Sequence, residues 1–142
     1  MSKKRILVVE DESSVIKILT RRLETSGYEV LAAFDGAEGL EKALSEKPDL
    51  IVSDIMMPKM DGYTFIKKLR ADPSGLHIPV IILTAKDKMQ DLFLFQGVQD
   101  CDYLVKPFES EELLDRIAKL LQRVQTYLPP ESPSGAPAPS SP

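Results

Sequence analysis

Five polar residues follow apolar segments in this sequence of 142 residues, and their types suit the transfer of a phosphoryl group. They are Glu10, Asp11, Asp54, Thr84 and Lys106. Three carboxylates at one site would repel one another, and Lys106 together with one divalent cation would balance their charge. Cations that neutralise phosphoryl oxygens beside a carboxylate allow that carboxylate to attack in line. Asp54 is the predicted nucleophile, and Thr84 would donate its hydroxyl to the bound phosphoryl group.

The metal that fits this set is Mg²⁺. The predicted ligands are all oxygens, and the sequence holds only one cysteine and one histidine. Zinc sites use sulfur and nitrogen ligands, whereas Mg²⁺ takes one or two carboxylates and leaves its other positions to water and phosphate. His77 is interpreted as a surface residue.

Alternating strands and helices must position these residues. Strand-like apolar runs occupy residues 5–11, 28–34, 49–54, 79–84 and 102–107, and the segments between them have helical spacing. We expect five strands and five helices, with the first helix capped by Ser13 and the second, near residues 36–46, opened by Asp35 and Glu38. Strands that are apolar at consecutive positions predict a parallel sheet covered on both faces, which binds ligands at the carboxyl ends of its strands. The five polar residues should therefore lie close together at the carboxyl edge of the sheet.

Composition limits the other classes of function. The net charge is −4 and the pI is near 5.1, which disfavours direct contact with nucleic acid or an anionic membrane. No apolar stretch approaches the roughly 20 residues of a membrane span, so we expect a cytoplasmic protein. Cys101 is expected to be a reduced thiol in a loop before the last strand.

The chain is expected to form one domain over residues 1–128. Residues 129–142 read PPESPSGAPAPSSP and carry six of the 11 prolines with a single charged residue. This composition predicts a disordered tail rich in proline, serine and alanine.

The sequence resembles the receiver domain of two-component response regulators over residues 4–125. The resemblance rests on VVEDE, SDIMMPKMDG, ILTA and YLVKPF, which stand in the family's order and spacing. It implies an α/β fold of the flavodoxin-like type, with a doubly wound, five-stranded parallel sheet and five helices. It also implies that Asp54 accepts the phosphoryl group, with Mg²⁺ bound by Asp11, Asp54 and the main-chain carbonyl of Met56, and with Glu10 completing the acidic pair.

The resemblance assigns a switch to three further residues. Thr84 would close on the phosphoryl oxygens, Lys106 would pair with the phosphorylated site, and Tyr103 would turn inward. The Lys106-Pro107 bond would be cis. The protein would then be a phosphorylation-activated switch and no enzyme beyond its own phosphorylation and dephosphorylation. Its phosphodonor would be a sensor histidine kinase or a histidine phosphotransfer protein, and its output would be protein contacts that include a phosphorylation-dependent homodimer, since no DNA-binding domain is encoded.

Several alternatives compete with this interpretation. The chain could be a phosphorelay intermediate that passes its phosphoryl group to another histidine, or a pseudo-receiver that acts without phosphorylation, although a pseudo-receiver should lack some of the five polar residues. A haloacid-dehalogenase-type phosphohydrolase needs an acid at position 56, where this chain has Met56. A nucleotide-binding flavodoxin-like module needs a phosphate-binding loop after the first strand, where this chain has two carboxylates.

Departures from the family pattern lie before the fifth strand. Residues 98–102 read VQDCD, with Gln99 at the position where the family usually has glycine. Phe93, Leu94 and Phe95 are consecutive, so a helix cannot bury all three, and we expect at least one to face outward near Tyr103. The alternative is that they cover the core under an irregular fourth helix.

Overall fold

The computed structural model describes residues 3–57, 59–95, 97–98 and 100–127. Within helices and strands, the side chains of Asp91, Leu94 and residues 123–127 are not described. The predicted tail, Pro58 and Gln99 lie outside the described residues.

The five predicted strands form a single parallel sheet in the order β2-β1-β3-β4-β5. β1 leads outward to β2 on one side, and the chain then returns past β1 to build β3, β4 and β5 on the other. The strand order therefore reverses between β1 and β3, and a crevice forms at their carboxyl ends. The strands are β1 Arg5–Val9, β2 Glu29–Ala33, β3 Leu50–Asp54, β4 Val80–Ala85 and β5 Cys101–Lys106.

Both faces of the sheet are buried, as the consecutive apolar positions predicted. Alternate residues of the central strands, such as Val8 and Val52, belong to one core cluster together with Leu19 and Ile117 from the helices. The residues between them, such as Ile51, belong to a second cluster on the other face. The predicted doubly wound, flavodoxin-like arrangement is confirmed.

Among the described residues, four segments are α-helical, and the predicted fourth helix is instead a 3₁₀ helix at Lys86–Phe95. Leu92 packs against the core and Phe95 is buried, while Phe93 is 71% exposed. Residues three apart align in a 3₁₀ helix, which places Leu92 and Phe95 on one face and leaves Phe93 outside. The α-helices are α1 Ser13–Thr25, α2 Gly36–Glu46, α3 Gly62–Ala71 and α4 Ser110–Tyr127.

The prediction that Ser13 caps the first helix was wrong. Glu12 is the N-cap residue, makes no side-chain capping bond, and accepts main-chain hydrogen bonds from Val15 and Ile16. The amide of Glu12 donates to Oε2 of Glu10 at 3.2 Å, which turns the chain one residue earlier than expected. By contrast, Asp35 and Glu38 do open α2, because the amide of Glu38 donates to Oδ1 of Asp35 at 2.8 Å.

Cys101 was expected in a loop, but it is the first residue of β5 and pairs with Val80. Its strand begins early because the amide of Val80 donates to the carbonyl of Asp100 at 2.9 Å. Burial raises the pKa of the Cys101 thiol to about 11, so this thiol is protonated at neutral pH.

Candidate functional site

The sheet brings the sequence-predicted polar residues to one edge. Val9 pairs with Ser53, so Glu10 and Asp54 follow at neighbouring strand ends. On the other side of β3, Asp54 pairs with Leu83, which places Thr84 one residue further along β4. Lys106 ends β5 opposite Ala85. Parallel pairing therefore aligns the carboxyl ends of four strands around one crevice.

Three carboxylates form a compact acidic cluster in this crevice. One oxygen each from Glu10, Asp11 and Asp54 lies within 4.8 Å of the others. Glu10 is only 2% exposed, Asp54 is partly buried and Asp11 is exposed. The cluster therefore opens to solvent on the Asp11 side.

Lys106 reaches this cluster from β5. Its Nζ donates a hydrogen bond to Oδ2 of Asp54 at 3.3 Å and lies 3.9 Å from Oε1 of Glu10. The other oxygen of Asp54, Oδ1, accepts from the amide of Ile55 at 2.8 Å. Both oxygens of Asp54 are thus held by donors, which fixes the orientation of the carboxylate. The peptide bond between Lys106 and Pro107 is cis, as the resemblance implied.

The buried Glu10 carboxyl is incompletely compensated. Its Oε1 atom has no hydrogen-bond partner among the described residues, although Oε2 accepts from the amide of Glu12. Burial, followed by repulsion from Asp54, raises the pKa of Glu10 to about 7, while the Glu12 amide and Lys106 act in the opposite direction. An unpartnered carboxylate oxygen beside two further carboxylates is an oxygen-only donor set, which fits a hard divalent cation such as Mg²⁺.

Thr84 and Tyr103, the two residues predicted to form the switch with Lys106, occupy different environments, and Met56, the other predicted metal ligand, follows β3 with a side chain that is 55% exposed. Thr84 is fully buried, and its hydroxyl donates to the carbonyl of Ala85 at 3.3 Å. Tyr103 lies on β5 opposite Ile82 and is 44% exposed, so its ring is partly in solvent. The carbonyl of Tyr103 accepts a hydrogen bond from Nη1 of Arg116 at 2.7 Å, which ties this part of β5 to α4.

The loop between Asp54 and α3 has contacts that sequence reasoning missed. Nζ of Lys59 lies 3.5 Å from Oδ2 of Asp35, a residue that the sequence marked only as a helix cap. Met60 packs against Gly36, where no side chain separates the two backbones. Both contacts join loops that are distant in the sequence, so no local pattern could have indicated them.

This fold, with an acidic cluster and a lysine at the carboxyl edge of its sheet, defines a class of phosphoacceptor signalling domains. The family model for the response regulator receiver domain matches residues 6–118. The chain belongs to the response regulator receiver domain family.

Individual relatives agree with this assignment. The chain is 45% identical over 126 residues to the alkaline phosphatase synthesis transcriptional regulatory protein PhoP of Bacillus subtilis, covering 89% of this chain and 52% of that protein. It thus spans about half the length of the curated relatives it matches.

No helix in the described part of the chain is long and apolar enough to cross a membrane.

Solved structures match over nearly their whole length. A response regulator receiver domain protein from Clostridium thermocellum aligns with a TM-score of 0.82 and 28% identity, covering 88% of this chain and 99% of that one. The receiver domain of sensor histidine kinase PA1611 from Pseudomonas aeruginosa PAO1 aligns with a TM-score of 0.78 and 30% identity, covering 85% and 99%. That structure has a magnesium ion coordinated in its active-site cleft.

Proposed function

We propose that this protein is a signalling switch that accepts a phosphoryl group on Asp54 from a histidine kinase or a histidine phosphotransfer protein. The observation that carries the proposal is the cluster of Glu10, Asp11 and Asp54, with Lys106 bonded directly to Asp54. Asp11, Asp54 and the main-chain carbonyl of Met56 would hold Mg²⁺, and the unpartnered Oε1 of Glu10 would face the same ion or its water.

The reaction we propose is a transfer to the Asp54 carboxylate. An Asp54 oxygen forms a bond to phosphorus while the bond between phosphorus and the donor breaks, and the donor leaves with the electron pair. Mg²⁺, when bound, supplies positive charge to the phosphoryl oxygens. Lys106 contributes a second, fixed positive charge next to Asp54. Thr84 would supply a hydroxyl hydrogen bond to the phosphoryl group once its bond to Ala85 is released.

Residues 1–128 are proposed to form the receiver, with residues 129–142 as a tail, and the phosphorylated state is proposed to be read by another protein. The proposed function does not include the turnover of a separate substrate. The likeness to the receiver domain of a sensor histidine kinase supports a second candidate, a phosphorelay intermediate that passes its phosphoryl group to another histidine. The two differ in fate: a relay transfers its label to a phosphotransfer protein, whereas a terminal switch loses it to water.

Mass spectrometry of the intact protein tests the proposal. Incubation with Mg²⁺ and acetyl phosphate should add one phosphoryl group that is lost in alkali or hydroxylamine, as expected for an acyl phosphate. Asp54→Asn should remove this label. Asp115→Asn is the matched control, because Asp115 pairs with Lys119 on the surface of α4 and should leave labelling unchanged. Equal labelling of Asp54→Asn would overturn the assignment.

A further inference from the structure

Lys59 and Met60, in the loop that follows Asp54, lie against the start of α2. A methyl group added at Gly36 would overlap the carbonyl oxygen of Met60 and lie 2.8 Å from its Cβ. The two backbones are therefore in direct contact, and any side chain at position 36 would push the loop outward.

An ion pair reinforces the same contact. Asp35, the N-cap residue of α2, accepts from the amide of Glu38 with Oδ1 and faces Lys59 with Oδ2 at 3.5 Å. Lys59 itself has a φ of 68°, which a residue with a side chain seldom adopts. The loop thus takes an unfavourable backbone conformation at the residue that reaches Asp35.

The far end of the loop is closed as well. The amide of Gly62 donates to the carbonyl of Ile55 at 2.9 Å, and a methyl group at Gly62 would lie 2.9 Å from the carbonyl oxygen of Asp54. Gly62 therefore holds the end of the loop next to Asp54, while Lys59 and Met60 contact the start of α2. Met56, between Asp54 and Lys59, is 55% exposed.

We propose that Asp35 and Gly36 are positioning residues for the metal site. Through their contacts with Lys59 and Met60, they would set how far the loop lies from the acidic cluster. That distance would in turn determine the position of the Met56 carbonyl relative to Asp11 and Asp54. This inference rests on the proposed function, because it assumes that Mg²⁺ binds at the acidic cluster. It assigns to the junction of β2 and α2 a role in metal affinity beyond capping a helix. Residues that orient ligands commonly change metal affinity by about 10–100-fold when altered.

Gly36→Ala tests the backbone contact. Its Mg²⁺ affinity, measured by chemical-shift titration, should fall about tenfold, because the loop must move away from the cluster. At saturating Mg²⁺, the rate of labelling by acetyl phosphate should return to near the wild-type value. Urea unfolding of metal-free Gly36→Ala checks separately that the variant is folded, because bound Mg²⁺ would itself stabilise the native state.

Gly39→Ala is the matched control. Both substitutions place alanine in α2, but a methyl group at position 39 would meet the side chain of Val9, 2.9 Å away in the core, rather than the loop. Its Mg²⁺ affinity should fall clearly less than that of Gly36→Ala, because the added methyl group meets side-chain methyls of Val9 and not the backbone of the loop. An equal loss of affinity in Gly39→Ala would attribute the effect to α2 as a whole and overturn the proposal.

Lys59→Gln separates positioning from simple electrostatics. Lys59 is 70% exposed, so its replacement leaves the core intact. Removing a positive charge from a loop beside a metal site would by itself tighten Mg²⁺ binding, whereas loss of the contact with Asp35 should weaken it, by about twofold for an exposed pair. Tighter binding would contradict the positioning role.

Failure of this inference is distinct from failure of the proposed function. If wild-type protein binds Mg²⁺ and Gly36→Ala binds it equally well, the positioning role is wrong and the function stands. If wild-type protein shows no Mg²⁺-dependent shifts at all, the proposed function fails and the positioning role fails with it.

Discussion

Nζ of Lys106 lies 3.3 Å from Oδ2 of Asp54, although the two residues end strands that β4 separates. The side chain of Lys106 thus reaches across the carboxyl end of the strand that holds Thr84. This places a positive charge against the proposed phosphoacceptor before any phosphoryl group arrives.

Lys106→Met should separate metal binding from switching. The variant keeps the aliphatic stem and removes the ammonium group, so Mg²⁺ affinity should be equal or higher, since a positive charge that repels the divalent ion is removed from beside Asp54. Chemical-shift changes at Thr84 and Tyr103 on addition of fluoroberyllate should be lost. Lys119→Met, on the exposed face of α4, should behave as wild type in both titrations. Preserved fluoroberyllate shifts in Lys106→Met would contradict its role.

Glu10 should make metal-free protein less stable as the pH rises. Its pKa is raised by burial from 4.5 to about 7, so the benefit of the protonated form is complete below pH 4.5 and is lost as pH rises through 7. Between pH 5.5 and 8 this costs roughly 2 kcal/mol of unfolding free energy. Urea unfolding in chelator should show this loss, and Glu10→Gln should show less of it.

If wild type and Glu10→Gln showed the same dependence of unfolding free energy on pH, this account of Glu10 would be wrong. Addition of Mg²⁺ should also stabilise wild type more at pH 8 than at pH 6, because the ion compensates the ionised carboxylate that protons neutralise at the lower pH.

The strand ends could be predicted from sequence because each polar residue directly follows an apolar run. Parallel pairing then leaves only one place where Asp54 and Lys106 can meet, the carboxyl edge of the sheet. The helices between the strands were harder to predict. KDKMQDLFLF contains enough apolar residues for a helix, and only Met89, Leu92 and Phe95 among them follow the three-residue period of the 3₁₀ form seen at Lys86–Phe95.

Contacts between loops could not be predicted in the same way. Ser13 looked like a helix cap, yet the bond from the Glu12 amide to Glu10 moved the cap by one residue. Asp35 carried a clear capping signal, whereas its pairing with Lys59 depends on how two loops pack in three dimensions. The bond between Glu12 and Glu10 is local but matches no capping motif, and the pair of Asp35 and Lys59 joins residues distant in the sequence, so neither contact had a pattern that could predict it.

Thr84→Val should leave phosphorylation of Asp54 largely intact while weakening the response to it. The hydroxyl of Thr84 is buried and bonded only weakly to Ala85, so its loss should change the unfolding free energy by about 1 kcal/mol. Labelling by acetyl phosphate should be retained, and fluoroberyllate-induced shifts along β5 should shrink. A wild-type response in Thr84→Val would show that the hydroxyl is not part of the switch.

The last prediction concerns the surface that reports phosphorylation. Tyr103 and Phe93 are both exposed, and Arg116 holds the carbonyl of Tyr103 while its Nη1 lies 3.2 Å from Oδ1 of Asp102. A phosphoryl group at Asp54 can affect a partner only through an element with two arrangements of different affinity, and Thr84 with Tyr103 is the candidate element.

Fluoroberyllate or phosphorylation should therefore tighten binding to a partner or to a second copy of the chain. Tyr103→Ala should abolish this gain while leaving labelling of Asp54 close to wild type, because Tyr103 lies outside the acidic cluster. Phe93→Ser should weaken the same association directly, since it removes an exposed aromatic ring without disturbing the core. Analytical ultracentrifugation and chemical-shift mapping of the activated protein measure both effects. Shifts confined to the loops around Asp54, with the described residues between 88 and 108 unchanged, would exclude this surface as the output.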